Sequence, residues 1–479
     1  MATTLLPASR VWQPRPREFD WVGFRGLESA ARRQAAKAEL RDGPPEVEVA
    51  EDHVFLPASE TGLRRRQRDD LLDAGEEDAA GPDPRSLPLL DEEVVYLGWR
   101  FNHYGHFLMQ SLARVWFLSE VPATTRVLFH QPDAERFQPT GWSERMLALF
   151  GVPPERVATL HEPTRVRRLL VPEPFFSPRS VAGDRTVRAH VRMGEPYRAV
   201  AERLTGGAAP TAGPLYLSRS RLPSGQRRLV GEEALEERLR RAGVAIAHPE
   251  QLSLEEQVRL VNRHTDLVSN AGSAAQNVLF ALHGPRLHLL ANGTSFSPDY
   301  FLHQTVCDAP TTFVNALGTC GRPGYPHAQK QTPLAVVPGV LEAHLAGRGL
   351  LADPDAIAGP TPGDPCSGPE YAEAWLHGRL REAGRREPLP PEVTAEAEDV
   401  AAWSWPVALA LARAVLRDDR ERAEAHAGRF AELAAAETDA ARLARYRAEV
   451  LETAAILLRR CGPETAARLR AVLADRFAA

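Results

Sequence analysis

Short apolar runs alternate with amphipathic segments through the middle of the chain, and this alternation restricts the fold more than any other feature. Between residues 215 and 290 the runs LYL, VAIA, TDLV and RLHLL are separated by stretches of helical periodicity, such as GEEALEERLRR, which Gly243 closes. Runs of this length indicate buried strands, and strands that alternate with helices form a parallel sheet covered by helices. The sequence therefore predicts an α/β fold with a Rossmann-like half here.

Further patterns on both sides of this region predict how the chain is divided. EVVYLG, RVLFH and RRLLVPEPFF are predicted strands, with the helix SERMLALFGV between the last two. The Gly/Pro/Ala-rich stretch at 203–214 has few side chains to bury, which is typical of a domain boundary. We predict an N-terminal Rossmann-like, acceptor-side domain (1–205), a second Rossmann-like domain (206–345), a proline-rich linker (346–370) and an α-helical extension (371–479).

Composition excludes several classes of protein. A formal net charge of −5 gives no general attraction to nucleic acid or to an anionic membrane. No run of about 18 apolar residues is present, so we predict no membrane span. The N-terminus lacks the apolar core of a signal peptide, and the four cysteines lack metal-site spacing. We therefore expect a cytoplasmic protein without a bound metal.

A polar cluster interrupts the amphipathic segment at 98–118. If this segment is a helix, Asn102, His106 and Gln110 lie on one face at positions i, i+4 and i+8. A histidine in this position, just after a strand, can accept a proton near neutral pH. The alternative is a capping asparagine beside a histidine that is satisfied within the core.

A basic loop follows the strand LYLS. It carries four arginines: Arg219, Arg221, Arg227 and Arg228. Because ligands of open α/β sheets bind beyond the carboxyl ends of the strands, these side chains could clamp a diphosphate through paired hydrogen bonds. The alternative is a solvated basic loop.

The stretch NAGSAAQN follows another strand. Gly272 permits a tight turn into a helix, where Ser273 and the first free amides can hold a phosphate. Small residues are equally common in turns of this kind that bind nothing.

Two other patterns have plainer interpretations. Ser253 and Glu256 form a capping box, so Glu256 is expected to cap a helix. The adjacent Gln257 has no capping role, and it either contacts something or faces solvent. Asp353-Pro-Asp355 has the spacing of a metal-binding pair but lies in the proline-rich linker, so we interpret it as a turn.

Four spaced motifs, taken in chain order over about residues 92–320, resemble glycosyltransferase family 61. They are N-x-x-G-H-F-L-x-x-x-L-x-R-x-W, Y-L-S-R…R-R-L-V-x-E-E, L-S-L-E-E-Q and G-S-A-x-x-N-x-L-F. Bacterial members of this family are often linked to capsular and other surface polysaccharides. The resemblance implies a GT-B fold and an inverting, metal-independent transfer of a hexosyl or pentosyl group. The donor would be a nucleotide sugar, usually a UDP sugar, and the acceptor a glycan, glycoconjugate or protein.

The resemblance also assigns roles to individual residues. His106 matches the histidine of the first motif, as the base, and Asn102 matches its asparagine. Arg114 matches a further position of that motif, where pairing inside the domain is the alternative role. The positions carried over to the donor site, with the neighbouring Arg221 added, are Arg219, Arg221, Arg228, Gly272, Ser273 and Asn277.

Departures from the family pattern leave other functions open. Gln110 stands where many relatives carry a carboxylate, Gly231 replaces a frequent asparagine, and Ala271 stands where eukaryotic-type relatives often have histidine. The alternatives are a non-catalytic nucleotide-sugar-binding or scaffold protein and a GT-B-fold epimerase. The C-terminal helices are expected to support an oligomer or to bind a protein partner.

Overall fold

In a computed structural model of the chain, the described residues are 10–12, 19–55, 84–130, 139–181, 184–222, 229–293, 296–318, 334–357, 373, 376–377, 380, 391–416 and 419–477. Their strands are β1 (Arg10–Trp12), β2 (Asp20–Val22), β3 (Ala38–Asp42), β4 (Val47–Phe55), β5 (Leu89–Trp99), β6 (Arg126–His130), β7 (Val157–Ala158), β8 (Thr164–Pro172), β9 (Phe176–Val181), β10 (Asp184–His190), β11 (Ala212–Leu217), β12 (Leu229–Val230), β13 (Ala245–Ala247), β14 (His264–Asn270), β15 (Arg286–Leu290), β16 (Thr311–Val314), β17 (Leu317–Gly318) and β18 (Leu334–Val336). Their α-helices are α1 (Glu28–Ala35), α2 (Tyr104–His106), α3 (Gly141–Leu149), α4 (Glu195–Thr205), α5 (Glu232–Arg241), α6 (Leu254–Arg263), α7 (His303–Val306), α8 (Val340–Gly347), α9 (Pro391–Ala401), α10 (Trp405–Val415), α11 (Arg420–Ala436), α12 (Ala440–Leu457) and α13 (Pro463–Arg476). The predicted α/β class is confirmed.

The chain forms two compact units, and both are discontinuous in sequence. Unit 1 comprises residues 1–217 and 252–314, and unit 2 comprises 218–251 and 315–479. Strands from both predicted Rossmann-like domains therefore belong to unit 1, because β16 pairs in parallel with β2 near the N-terminus. The domain limits predicted from the sequence follow the pattern of strands and helices, whereas these units are defined by contacts, so the predicted limits stay a prediction. Residues 358–370 of the predicted linker lie outside the described residues.

One sheet of unit 1 contains β11, β14, β15, β16 and β2 in that order, all parallel. This is the sheet that the alternation of apolar runs predicts. Asn270 at the end of β14 is paired in register with Leu290 at the end of β15, so the two carboxyl ends lie at one edge. The turn through Gly272 begins just beyond that edge.

A second sheet of unit 1 has the order β4-β8-β5-β6-β7. The central strand β5 is parallel to both of its neighbours, and it ends level with β6, with Trp99 opposite His130. The segment that carries His106 follows β5 directly. The third sheet of this unit has the order β1-β3-β10-β9.

A buried arginine supports β5 from within. The Nε of Arg114 donates to the carbonyl of Pro172 at 2.9 Å, and its guanidinium lies 5.2 Å from the centre of the Tyr96 ring. Gly98, at φ +94°, leaves the space that this side chain fills, since a Cβ there would lie 2.6 Å from Arg114 Nη1. Arg114 thus has the internal role that the sequence left as an alternative.

Unit 2 combines a small sheet with the C-terminal helices. The sheet has the order β12-β18-β17. Val230 of β12 and Ala335 of β18 belong to the same apolar core as Trp405, Phe430 and other buried residues of α9–α13. The helices thus share a core with this sheet. Among the described helices, none is long and apolar enough to cross a membrane.

Candidate active site

The segment after β5 folds as three short helical turns rather than as the one helix that we predicted. Helix α2 is followed by a π-helical turn at Phe107–Ser111 and a 3₁₀ turn at Val115–Ser119. His103 is the N-cap of α2, in extended backbone conformation, and its side chain accepts a hydrogen bond from the N–H of His106 at 3.5 Å. The predicted helical face that includes Asn102 is therefore wrong, because Asn102 precedes the cap.

His106 and Gln110 are partners, as their spacing predicts. The Nε2 of Gln110 lies 2.8 Å from Nδ1 of His106. The two ends of a glutamine amide have nearly the same shape, so the amide can present either its oxygen or its nitrogen to the ring. With the oxygen toward Nδ1–H, the ring proton is on Nδ1, and Nε2 is the nitrogen that can accept a proton. The pair can thus hold the tautomer that a general base requires.

Tyr104 connects α2 to two of the other motifs. Its hydroxyl donates to Oδ1 of Asn277 at 2.5 Å and lies 3.3 Å from Oε1 of Gln257. The Nδ2 of Asn277 donates to the same Gln257 oxygen at 2.9 Å. Burial raises the pKa of Tyr104, against the opposing effect of the hydrogen bond to Asn277, so the hydroxyl keeps its proton.

This network changes the interpretation of two residues. The sequence left open whether Gln257 contacts another residue or faces solvent. Gln257 is 8% exposed, so it contacts other residues of the protein. Asn277 is 2% exposed, and its amide bonds to Tyr104 and Gln257. In this structure Asn277 therefore holds the motifs together, and a direct contact with a donor stays a prediction. Tyr104 was not predicted as a site residue, although a tyrosine inside a polar cluster is a signal for such a network.

Gly105 brings the first motif against the turn after β14. A Cβ at Gly105 would lie 3.0 Å from Oγ and 3.4 Å from Cβ of Ser273. The sequence predicts these motifs on separate domains, whereas both belong to unit 1. The segments that follow β5 and β14, which are parallel strands of two different sheets, thus contribute residues to one place, with His106 adjoining Gly105.

The turn itself differs from its predicted form. Gly272 has φ −147° and ψ −178°, which any residue can adopt, so a positive φ does not explain the glycine. A Cβ there would instead lie 3.0 Å from Nδ2 of Asn270, which is tight. Ser273 begins a 3₁₀ helix, Ser273–Phe280, and among the described residues no side chain caps its first turn. Free amides at a helix N-terminus favour an anion.

A buried polar network fixes this 3₁₀ helix from behind. The Nε2 of Gln276 donates to Oδ2 of Asp299 at 2.5 Å, and its Oε1 lies 2.7 Å from Nε2 of His303. Burial lowers the pKa of His303 to about 4, against the opposing charge of Asp299. His303 is therefore neutral at neutral pH and donates to the Gln276 oxygen.

The arginine loop belongs to unit 2, and two buried carboxylates hold its first residues. The N–H of Arg219 donates to Oε1 of Glu232 at 3.0 Å, and the hydroxyl of Ser218 lies 2.5 Å from Oε1 of Glu236. Both acids lie on α5, where Glu232 is the first residue. Neither acid was predicted as a site residue, because the arginines alone carry the basic pattern of this loop. Arg221 is exposed, and Arg227 and Arg228 lie outside the described residues.

The two plainer interpretations are confirmed. Ser253 Oγ accepts from the N–H of Glu256 at 3.2 Å, and Glu256 Oε2 accepts from the N–H of Ser253 at 2.7 Å. Asp353 Oδ1 accepts from the N–H of Asp355 at 3.1 Å, as in a turn. Across the part of the chain that the structure describes, no three His, Cys, Asp or Glu residues are grouped to hold a metal ion. Metal-free catalysis stays a prediction.

A family of known proteins matches the stretch of chain that contains these contacts. Residues 104–288 match the model of the family described as Glycosyltransferase 61. The matched interval begins at Tyr104 and contains Gly105, His106 and Ser273, so it includes both sides of the contact described above. No curated protein matches the chain. The segment that folds Gly105 against Ser273 is thus similar to glycosyltransferase family 61, and the chain is a glycosyltransferase.

Proposed function

We propose that this enzyme is an inverting, metal-independent glycosyltransferase that transfers a sugar from a UDP sugar to a hydroxyl of a glycan, glycoconjugate or protein. The observation that carries the proposal is the approach of Gly105 to Ser273 within unit 1. It sets a histidine that can act as a base beside a turn that can bind an anion. The GT-B architecture, a cytoplasmic location and a role in bacterial surface polysaccharide are parts of the same proposal.

In this mechanism His106 takes the proton. With Nδ1–H donating to the oxygen of Gln110, Nε2 accepts the proton of the acceptor hydroxyl. The acceptor oxygen then forms a bond to the anomeric carbon while the bond from that carbon to the diphosphate oxygen breaks. UDP departs on the opposite face, so the configuration inverts. We assign Asn102, which precedes the His103 cap, to the acceptor beside His106.

The donor's diphosphate gains negative charge as it leaves. We propose that the hydroxyl of Ser273 and the amides at Gly272–Ser273 stabilise this charge. For the arginine loop, the donor-binding role of Arg219, Arg221 and Arg228 stays the prediction that the sequence makes. Asn277 acts through the hydrogen bonds that fix the 3₁₀ helix to Tyr104.

Release of UDP tests the proton transfer. The rate is measured with a panel of UDP sugars, with and without added oligosaccharide acceptors. His106→Ala removes general-base assistance, which is typically worth about 10²–10⁴-fold in rate, and leaves UDP affinity nearly unchanged. His161→Ala is the matched control, since His161 is an exposed histidine of unit 1 outside the candidate site. A stable His106→Ala protein with wild-type turnover would refute the assignment.

Calorimetry with UDP tests the donor site. Arg219→Ala is expected to weaken binding by about 1–3 kcal/mol, the scale of a lost hydrogen bond to a charged group. Arg241→Ala is the control, since Arg241 is an exposed residue in the last turn of α5. Unchanged affinity in Arg219→Ala and Arg228→Ala would remove both residues from the donor site.

Turnover is expected to survive EDTA, because the proposed mechanism needs no metal ion. Loss of turnover in EDTA, with recovery in Mn²⁺, would contradict a metal-free mechanism.

A further inference from the structure

Arg100, the residue after β5, carries a buried charge with little compensation. It is 5% exposed, and among the described residues its Nε and Nη2 atoms have no hydrogen-bond partner. The nearest carboxylate, Glu144, approaches Nη2 only to 3.7 Å, and its own side chain is 47% exposed. An arginine keeps its proton even when buried, and buried charges are costly unless they are paired and hydrogen-bonded.

The two atoms without partners define one edge of the guanidinium. Nε–H and the adjacent Nη2–H point the same way, and this edge donates two parallel hydrogen bonds to a carboxylate or phosphate. A lysine cannot offer this geometry, because its ammonium is a point charge. The unsatisfied edge of Arg100 therefore matches a planar or tetrahedral anion.

Arg100 lies where ligands of α/β sheets bind. Its N–H donates to the carbonyl of His130 at 3.2 Å, so it sits at the shared carboxyl end of β5 and β6. The ring of the next residue, Phe101, is 5.4 Å from the ring of His106. The guanidinium thus belongs to the same edge of unit 1 as the proposed base.

Aromatic side chains lie on the segments that flank Arg100 and Glu144. Trp142, two residues before Glu144 on α3, lies 5.7 Å from the ring of Tyr104 and 5.3 Å from that of Phe107. Trp99 is stacked on His130 at 5.2 Å. Aromatic side chains near one placed charge are common in small-molecule sites.

We propose that Arg100 binds an anionic group of the acceptor, a carboxylate or phosphate carried near the hydroxyl that is glycosylated. This inference rests on the proposed function and deepens it, since it makes the acceptor an acidic or phosphorylated sugar. Glu144 partly balances the guanidinium in the free enzyme, and the acceptor's anion replaces it with two direct hydrogen bonds. The donor's diphosphate is bound elsewhere.

The test compares three sugars that differ in charge. Glucuronate, glucose 6-phosphate and neutral glucose are each titrated at matched ionic strength in the presence of saturating UDP, which keeps the anions from the donor site. Binding is followed by the rise in Tm and by ligand-observed NMR. We expect at least one anionic sugar to stabilise the enzyme while glucose does not. Stabilisation by glucuronate would indicate an acceptor with a carboxylate, and stabilisation by glucose 6-phosphate would indicate a phosphorylated acceptor.

Variants connect the response to Arg100. In Arg100→Met the anion response is lost, while Tm without sugar stays equal or rises, because an unpaired buried charge has been removed. Arg100→Lys keeps the charge without the fork, so it should fold and need about tenfold more sugar. Glu144→Gln removes the competing carboxylate and lowers the concentration of anion required.

The outcomes separate this inference from the proposed function. An anion response that persists in Arg100→Met, or its absence from the wild type, overturns the assignment of Arg100. So does a loss of UDP affinity in Arg100→Met or Arg100→Lys, which would place Arg100 in the donor site. If the wild type binds no UDP at all, the proposed donor is wrong instead.

Discussion

Replacing Gln110 by glutamate tests the pairing of the amide with His106. The two side chains meet at 2.8 Å, so a carboxylate there would accept Nδ1–H and stabilise the protonated ring. An opposite charge this close shifts a titration by about 1–3 pH units, and we expect about 1 because both side chains are partly exposed. The base works only when neutral, so the acidic limb of the pH–rate profile should move about 1 unit higher. Well below the limb the rate should fall about tenfold, and above it the more basic ring should raise the rate.

The assay is the pH dependence of UDP release at saturating donor for the wild type, Gln110→Glu and Gln110→Met. Methionine removes the hydrogen bond without adding charge, so it should lower the rate at every pH and leave the limb in place. A folded Gln110→Glu enzyme whose acidic limb coincides with that of the wild type would refute the reasoning. It would mean that Gln110 does not act on His106.

Three stability predictions follow from other contacts. Tyr104→Phe leaves buried amide groups short of a partner and should cost about 1–3 kcal/mol in urea unfolding; no change would dismiss the hydroxyl network. Gly98→Ala should lower the free energy of unfolding clearly more than Gly206→Ala, because both glycines have positive φ but only the Cβ at Gly98 meets a buried side chain. Equal losses of unfolding free energy would refute the clash. Burial alone would raise the pKa of Asp266, but hydrogen bonds, first among them that from His288, lower it well below its ordinary value. A carboxylate with a lowered pKa in the folded state stabilises the fold above about pH 4, its unfolded pKa, and this stability is lost as the pH falls. Asp266→Asn should therefore make the unfolding free energy depend less steeply on pH in acid. An unchanged dependence would exclude this carboxylate as its source.

Features determined by neighbours in sequence were predictable. The strand RVLFH is β6 with the predicted limits, Arg126–His130. The capping box at Ser253 and Glu256 needs only a separation of three residues, and it is present. In both cases the pattern depends on local geometry that distant parts of the chain do not alter.

Features determined by distant partners were not predictable. Tyr104 and Asn277 are 173 residues apart, and no local rule predicts that their side chains bond. The π-helical turn after His106 is another case, because the apolar pattern there fits a regular helix equally well. Arg100 escaped attention because a single arginine after a strand is unremarkable until its burial is known.

The discontinuity of unit 1 has a consequence for synthesis on the ribosome. Strand β2 at residues 20–22 pairs with β16 at 311–314, and Gly105 packs against Ser273, which is synthesised much later. A nascent chain that has not yet exposed residue 314 cannot complete this unit, although His106 has long since emerged. Because closure of so long a loop is slow, the emerging N-terminal strands spend most of translation without their partners. Such intermediates are prone to aggregate, so slowed translation or chaperone depletion should reduce the yield of this enzyme more than that of a protein with local pairings.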